Sequence, residues 1–209
     1  IFYFELDNRT GDFNNQTLME FQPGLLKEAI AEKSRNNPEE LFEFRIRQLI
    51  RRANGDFIMI SENEYDQTYD TYQNLIVTCL SPGGLHNWSR VIHKRQDIDQ
   101  NNMVNHSSYA VHAPKNSNKV YLVFNEREKN EFLEPGERLK TFYHINKANL
   151  KVITLGSMGE MSSKIVYRKT NRRMKTPVPL QMYDKLNHEM IIPILRMKRY
   201  NYMIFGFNE

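Results

Sequence analysis

The chain has 209 residues, of which 40% are hydrophobic and 26% are charged, with a net charge of +4 at pH 7. This length is enough for one large or two small domains, and the composition is that of an ordinary globular protein and not of a disordered one. No apolar run approaches the roughly 20 residues of a membrane-spanning helix, and a single cysteine excludes an internal disulfide.

The N-terminal residues predict a hairpin followed by a helix. Residues 1–7 and 13–21 alternate as two strands around a turn. A helix is predicted over residues 23–35, because it begins near a proline and carries apolar residues at helical spacing: Leu25, Leu26, Ala29 and Ile30. Because Ile1 is not a natural start, we expect the hairpin to be the second half of a four-stranded unit that begins upstream.

Residues 41–94 give the strongest pattern, four strands joined by turn signals. Asn54-Gly55 predicts a two-residue hairpin loop in which both residues have a positive φ. A proline and two glycines at residues 82–84 predict a second turn. The strands between them are rich in β-branched and aromatic residues, which favours an antiparallel meander over helices. Cys79 lies in the third strand among apolar residues, so we expect a buried, unreactive thiol.

The remainder of the chain predicts further strands of the same kind. Residues 126–138 are charged and predict an irregular excursion, and the prolines of the tail, among them Pro193, predict edge or interrupted strands. The predicted strands are residues 107–113, 119–125, 141–146, 151–155, 164–168, 179–183, 189–197 and 201–207.

The strand units recur at about 50 to 60 residues, near the blade length of some β-propellers. The sequence therefore predicts a mainly β fold of antiparallel four-stranded meanders with one inserted helix, arranged as a β-propeller or part of one. A β-sandwich is the alternative. We expect residues 1–209 to form a single β-rich domain, the C-terminal part of a larger propeller-like protein.

Basic residues cluster in several strands and loops, including residues 45–52, 93–95 and 168–175. They could bind a polyanion, or they could be solvated strand faces that oppose aggregation. The second interpretation is favoured, because acidic residues are nearly as numerous and no nucleic-acid-binding motif is present.

A set of residues at characteristic spacing resembles a family pattern. It comprises a glycine, a strand and a glutamate, then a glycine turn before a tryptophan, then Lys-x-Gln, then a strand ending in Phe-Asn. In this chain these residues are Gly55, Glu62, Trp88, Lys94, Gln96, Phe124 and Asn125. Residues 42–207 thus resemble an uncharacterised family of envelope or secreted proteins from Bacteroidetes-type bacteria. The resemblance implies a propeller-like fold and an envelope (periplasm or outer surface) or extracellular location, and it implies no biochemical activity.

An acidic cluster, Glu62, Glu64 and Asp66, lies at the end of the second strand of the meander. Glu62 and Glu64 would share one face of a strand, which could suit a cation or an acid/base pair. The favoured alternative is a solvated strand end. The six histidines are scattered without metal-ligand spacing, so neither a metal nor another cofactor is predicted.

Three tyrosines, Tyr65, Tyr69 and Tyr72, lie in the polar insert between the second and third strands. Tyrosines on a loop make good contact surfaces for a protein or a glycan, and a mobile loop is the other interpretation. Trp88 is expected to be a core residue. The predicted function is a noncatalytic binding or scaffold module that uses this insert. The alternative is a glycan- or peptide-directed hydrolase with acids drawn from several blades.

Overall fold

The computed structural model describes residues 2–29, 44–66, 70–97, 107–134, 137–142, 148–168, 174–175, 182–184, 189–196 and 199–206. Within these ranges the protein is mainly β, with one short helix, α1 (Pro23–Ala29), and a 3-10 helix at Glu128–Phe132. The strands are β1 (Phe2–Leu6), β2 (Phe13–Leu18), β3 (Phe44–Arg51), β4 (Phe57–Asp66), β5 (Asp70–Leu80), β6 (His86–Ile92), β7 (Gln96–Asp97), β8 (Ala110–His112), β9 (Val120–Arg127), β10 (Ala148–Leu155), β11 (Met161–Tyr167), β12 (Met174–Lys175), β13 (Met182–Asp184), β14 (Glu189–Arg196) and β15 (Arg199–Gly206).

Hydrogen bonding arranges these strands into four sheets. β1 pairs with β2. The second sheet has the order β3-β4-β5-β6, with β7 also paired to β5, and the third has the order β11-β10-β9-β8. In the fourth, β14 pairs with β15, β12 and β13. The predicted mainly β fold with antiparallel four-stranded sheets and one helix is confirmed, and the propeller or sandwich arrangement stays a prediction.

The chain separates into two compact units. Unit 1 comprises Ile1–Asn63 and Asn74–His93, and unit 2 comprises Glu64–Gln73 and Lys94–Glu209. The long strands β4 and β5 therefore contribute to both. The single domain predicted for residues 1–209 stays a prediction, because this division does not show whether either unit folds alone.

Three hairpins close with the same loop, a turn followed by a left-handed glycine. In each, the glycine N–H donates to the carbonyl three residues earlier, and the first residue's N–H donates to the carbonyl of the fifth. This is a type I turn followed by a one-residue bulge, and glycine is favoured at the last loop position because it has no Cβ. The loops span residues 52–56, 81–85 and 156–160, and their left-handed glycines are Gly55, Gly84 and Gly159.

The prediction of a two-residue loop at Asn54-Gly55 is therefore wrong in its detail. Of the two residues, Gly55 alone has a positive φ, of 92°. Asn54 instead uses its side chain locally: Oδ1 accepts the Asp56 N–H at 3.2 Å, and Nδ2 donates to Asp56 Oδ2 at 2.7 Å. A three-residue loop needs only one left-handed residue, so it avoids placing Asn54 in that conformation.

The core of unit 1 lies along the strands of the second sheet, where β4 and β5 contribute residues that are completely buried. Helix α1 packs on β6 through a cluster of Ala29, Ile76 and Val91, with Phe44 at its margin. Asn74 Nδ2 donates to the carbonyl of Ala29 at 3.0 Å and so satisfies one of the last helical carbonyls. Residues 30–35 of the predicted helix lie outside the described ranges.

The core of unit 2 is built on β9, which is buried along almost its whole length. β8 and β10 pair with its two edges. One hydrophobic cluster joins the third and fourth sheets: Ala110, Tyr121, Val123, Leu150, Val152, Met190 and Ile192. The predicted strand at residues 119–125 is confirmed, and the predicted irregular excursion after it begins as the 3-10 helix.

The predicted strand at residues 151–155 is confirmed, because it lies within β10, which begins at Ala148 and pairs with β9 and β11. Most of the strand predicted over residues 141–146 lies outside the described ranges. Pro193 lies within β14, which pairs with β15 along its whole length. On the other side of β14, among the described residues, β13 pairs up to Ile191 and β12 only from Leu195, so the pairing is interrupted beside the proline, in agreement with the predicted interruption.

Within the described parts of the chain, none of the helices is long and apolar enough to cross a membrane.

Candidate functional site

The predicted site residues lie at the far end of the β4–β5 hairpin. The insert predicted as a loop is mostly strand, because β4 continues to Asp66 and β5 begins at Asp70. Tyr65 and Asp66 belong to β4 and Tyr72 to β5, where its main chain is opposite Gln96. The side chains of these three residues, and Tyr69 altogether, lie outside what the structure describes. Glu64 is half-buried.

Glu62 is completely buried, which corrects the expectation that this acid is solvated. Arg47 on the neighbouring strand places its Nε 3.4 Å from Glu62 Oε2. A buried carboxylate requires such a partner, because its desolvation would otherwise cost several kcal/mol. Glu62 thus joins β3 to β4 and presents no acidic group to solvent.

A buried polar network in unit 2 connects three of the residues in the family-like pattern. Gln96 is at its centre, and its Oε1 accepts hydrogen bonds from Lys94 Nζ at 3.1 Å and from the N–H of Ser108 at 2.7 Å. Its Nε2 donates to the carbonyl of Asn125 at 2.7 Å. Lys94 and Gln96 are both almost completely buried. The network therefore fixes β7 against the end of β9 and the residues before β8.

Ser108 itself has a left-handed backbone with φ of 64°. Such a conformation costs roughly 1–3 kcal/mol for a residue other than glycine, so surrounding contacts must hold it. The hydrogen bond from its N–H to the buried Gln96 is one such contact. Ser107 next to it is completely buried. These placements favour structural roles for the two serines.

A second polar arrangement lies where β9 passes into the 3-10 helix. Glu126 on β9 is buried and its Oε1 lies 3.1 Å from Lys151 Nζ on β10. Burial raises the pKa of Glu126, with a further increase from the charge of Glu131, while Lys151 opposes both effects. The buried ion pair joins two neighbouring strands of the third sheet.

Glu131 lies in the 3-10 helix, and its surroundings lower the pKa of its carboxyl group, whereas those of Glu126 raise it. Arg168 makes a bidentate contact with the Glu131 carboxylate through its Nε and Nη2 atoms, and Asn149 Nδ2 donates to Glu131 Oε2 at 3.1 Å. The hydrogen bonds from Arg168 lower the pKa of Glu131, assisted by the positive charge of that arginine and by Asn149. The two neighbouring glutamates, Glu126 and Glu131, therefore have pKa values shifted in opposite directions.

We expect Glu131→Gln to lower the melting temperature at neutral pH and to have much less effect in acid. Because the folded protein lowers the pKa of Glu131, its stabilising contribution is present above the pKa of an unfolded glutamate. The contribution is lost as the pH falls through the folded-state value. Thermal unfolding of the variant and the wild type at about pH 7 and about pH 3 measures this difference.

Glu128→Gln, in the same 3-10 helix, is the matched control and should leave the melting temperature nearly unchanged at both pH values. The effect of Glu131→Gln should be modest, since Arg168 is largely exposed and solvent screens the pair. A melting-temperature difference for Glu131→Gln that is equal at both pH values would contradict the proposed contribution of its charge.

Cys79 lies between the two hairpin loops of the second sheet. Its Sγ is 3.7 Å from Arg52 Nη1, 3.7 Å from Asp56 Oδ2 and 3.8 Å from Asn87 Nδ2. Burial raises the pKa of the thiol, and Arg52 opposes that shift only in part. The predicted burial of Cys79 is confirmed, and a raised pKa disfavours the nucleophilic thiolate. Arg52 is itself buried, as is Lys94, so both depart from the solvated role expected of the basic residues.

Each of the three described histidines contacts a different residue. His93 Nε2 lies 3.3 Å from Glu28 Oε1, and His86 Nε2 lies 2.9 Å from Ser89 Oγ. The ring of His112 stacks on Tyr121 with a centroid distance of 6.1 Å. In the part of the chain that the structure covers, no group of three or more His, Cys, Asp and Glu side chains could hold a metal ion.

Comparison with protein-family models, curated proteins and solved structures finds no match to this chain. The resemblance to a Bacteroidetes-type envelope family therefore stays a prediction.

Sequence reasoning missed the arrangement of Glu126, Lys151, Glu131, Asn149 and Arg168. The local signal was present, since residues 125–131 alternate acidic, basic and amide side chains after an apolar strand. The partners, however, come from β10 and from the end of β11, at sequence separations of up to 37 residues. Such pairings depend on strand order, which charge patterning alone does not give.

Proposed function

We propose that this protein is a noncatalytic binding or scaffold module of the bacterial cell envelope, in the periplasm, on the outer surface or secreted. In this proposal its meander sheets are arranged like propeller blades. The partner, a protein or a glycan, binds at the end of the β4–β5 hairpin.

The pairing of acids with bases supports a binding role over a catalytic one. Each of the acids best placed for chemistry has a basic partner from another strand or helix. These pairs are Glu62 with Arg47, Glu126 with Lys151 and Glu131 with Arg168. A carboxylate that transfers protons must reach a substrate, whereas these carboxylates hold neighbouring elements together. This pairing is the observation that carries the proposal.

The choice of the β4–β5 hairpin rests on its length and composition. Its strands have 10 and 11 residues, and only residues 67–69 separate them. Tyr65 and Tyr72 belong to the strands on either side, and Tyr69 is in the connection. Tyrosine offers a flat contact area with a hydrogen-bonding tip at a low cost in conformational entropy.

A glycan array and a pull-down from envelope extracts would compare the wild type with the triple Tyr65, Tyr69 and Tyr72→Ala variant. We expect binding by the wild type and about tenfold or greater weakening in the variant, since aromatic anchors commonly dominate contact surfaces. Circular dichroism would verify that the variant is folded. Equal binding by both proteins would remove the hairpin from the proposed function.

One observation favours the alternative of a glycan- or peptide-directed hydrolase. Hydrolases often combine a carboxyl group of raised pKa with a nearby ionised one, as Glu126 and Glu131 are arranged. Hydrolysis of glycan and peptide libraries by the wild type, abolished in a folded Glu126→Gln variant, would establish this alternative in place of the binding module.

A further inference from the structure

Two methionines lie at the end of the β10–β11 hairpin with their side chains largely in solvent. Met158 belongs to the loop at residues 156–160 and is 78% exposed, and Met161, the first residue of β11, is 50% exposed. The structure describes every residue of this hairpin, from 148 to 168. Methionine is more often a core residue, and three others in this chain are buried: Met19, Met59 and Met190. The thioethers of Met158 and Met161 are therefore accessible to a small solute while the protein is folded.

The loop is closed without the Met158 side chain. The Gly156 N–H donates to the Glu160 carbonyl at 2.9 Å, and the Gly159 N–H donates to the Gly156 carbonyl at 3.3 Å. Glu160 Oε2 accepts the Met158 N–H at 2.9 Å, and a Cβ atom at Gly156 would overlap the same carboxylate. Because main-chain atoms and Glu160 hold the loop, the Met158 side chain can change chemically while the hairpin stays intact.

The thiol of Cys79, the other kind of sulfur that an oxidant attacks, is protected in this fold. Cys79 is completely buried, and burial raises the pKa of its thiol. The thiolate that reacts with a peroxide is therefore scarce. A thioether has no proton to lose, so access to its sulfur limits its oxidation. Among the described residues, the exposed methionines are thus the sulfur groups that an oxidant reaches first.

We propose that Met158 and Met161 form a modification site at which a peroxide oxidises the folded protein reversibly to methionine sulfoxide, with Met158 oxidised first. One peroxide oxygen bonds to the thioether sulfur as the O–O bond breaks, and the other oxygen leaves as water. The sulfur loses the two electrons that the peroxide gains. A methionine sulfoxide reductase, with a thiol as the reductant, reverses the step.

Oxidation converts an apolar group into a polar one. In this protein the change falls on the surface at the end of the β10–β11 hairpin, and the core of unit 2 keeps its packing. The site lies outside the β4–β5 hairpin, so this proposal and the proposed function can fail independently.

Hydrogen peroxide is the probe, added to the folded protein at neutral pH and quenched at intervals. Mass spectrometry of peptides measures the oxygen gained at each methionine, and cleavage of the quenched, unfolded samples after Glu160 separates Met158 from Met161. We expect Met158 to react fastest and Met161 next. Met59 and Met190 should react at least about tenfold more slowly than Met158, because they are reached only when the structure opens. Cys79 should stay reduced over the same interval.

The unfolded chain is the control for intrinsic reactivity. In concentrated urea the three methionines Met59, Met158 and Met190 should oxidise at similar rates, because burial no longer distinguishes them. In the folded protein Met158→Leu should abolish the fastest phase and leave the rate at Met161 unchanged. A methionine sulfoxide reductase with a thiol should return the oxidised protein to its original mass.

A polar side chain of similar length tests the effect of the modification on stability. Met158→Gln should keep the melting temperature of the wild type, as should the protein oxidised at Met158 and Met161. Met190→Gln is the matched variant, since Met190 is buried in the hydrophobic cluster of unit 2. It should lower the melting temperature clearly, because it places an amide among apolar side chains.

Four results would overturn the proposal. Equal rates at Met158 and Met190 in the folded protein would show that access does not select the site. Oxidation of Cys79 ahead of Met158 would make the thiol the target. A loss of melting temperature in Met158→Gln as large as in Met190→Gln would show that the Met158 side chain packs in the fold. Sulfoxides that the reductase leaves unchanged would contradict reversibility.

Discussion

Trp88→Ala is expected to lower the free energy of unfolding by about 3–5 kcal/mol. The ring is only 7% exposed and lies on β6, with its residue opposite the buried Cys79 on β5. Removing it leaves a cavity that the paired strands cannot close, in addition to the lost transfer free energy of the indole. The burial predicted for Trp88 from the sequence is confirmed.

Urea unfolding followed by far-ultraviolet circular dichroism measures this effect, because Trp88 is the only tryptophan and its loss removes the fluorescence signal. Leu85→Ala at the same hairpin is the control. Leu85 is well exposed, and its variant should differ from the wild type by less than about 0.5 kcal/mol. If Trp88→Ala were as stable as the control, the ring would not contribute to the core.

Gln96→Leu should lower the free energy of unfolding by about 3–5 kcal/mol, because three hydrogen bonds are lost at a site that water does not reach. Leucine fills a similar volume but cannot accept from Lys94 Nζ and the Ser108 N–H, or donate to the Asn125 carbonyl. The loss at Lys94 is the most costly, because a charged group has a large desolvation penalty.

Gln96→Glu separates these contributions. A glutamate still accepts from Lys94 and Ser108 but cannot donate to the Asn125 carbonyl, so we expect a smaller loss than for leucine. Gln22→Leu, at an exposed position, is the control. Chemical unfolding of the three variants measures the order. Equal stability of Gln96→Leu and Gln22→Leu would show that the network adds nothing to stability.

The sequence predicted most strands of the second and third sheets, because the residue patterns that mark a strand are local. Alternating and β-branched residues mark β4, β5, β6 and β9, and glycine marks the turn before β4 and the turn between β5 and β6. The type of hairpin loop could not be predicted from Asn54-Gly55 alone. A left-handed glycine is needed in both the two-residue and the three-residue loop, and the choice depends on which residue first pairs across the strands.

Burial of charged side chains was the main failure of the sequence analysis. Glu62, Lys94 and Arg52 are polar residues next to turns or strand ends, where exposure is the usual expectation. Their contacts come from the folded sheets: Glu62 pairs with Arg47 on the neighbouring strand, Lys94 donates to the buried Gln96, and Arg52 contacts Cys79 across 27 residues. The two strands that flank Pro193 on one side of β14 are likewise a property of the assembled sheet.

The seven residues of the family-like pattern have structural positions in this fold. Gly55 is the left-handed loop residue, and the other six, from Glu62 to Asn125, are all buried. A pattern made of turn and interior positions describes how a chain folds and not what it binds.

The position of Cys79 gives the protein an internal reporter of local opening. A thiol reagent must pass the loops at residues 52–56 and 81–85. These loops pack closely, because a Cβ atom added to Gly55 would lie 3.4 Å from Pro82 Cγ. Modification therefore requires this end of the sheet to separate. The rate at which a reagent labels the folded protein, relative to the unfolded chain, gives the free energy of that opening when reclosing is fast.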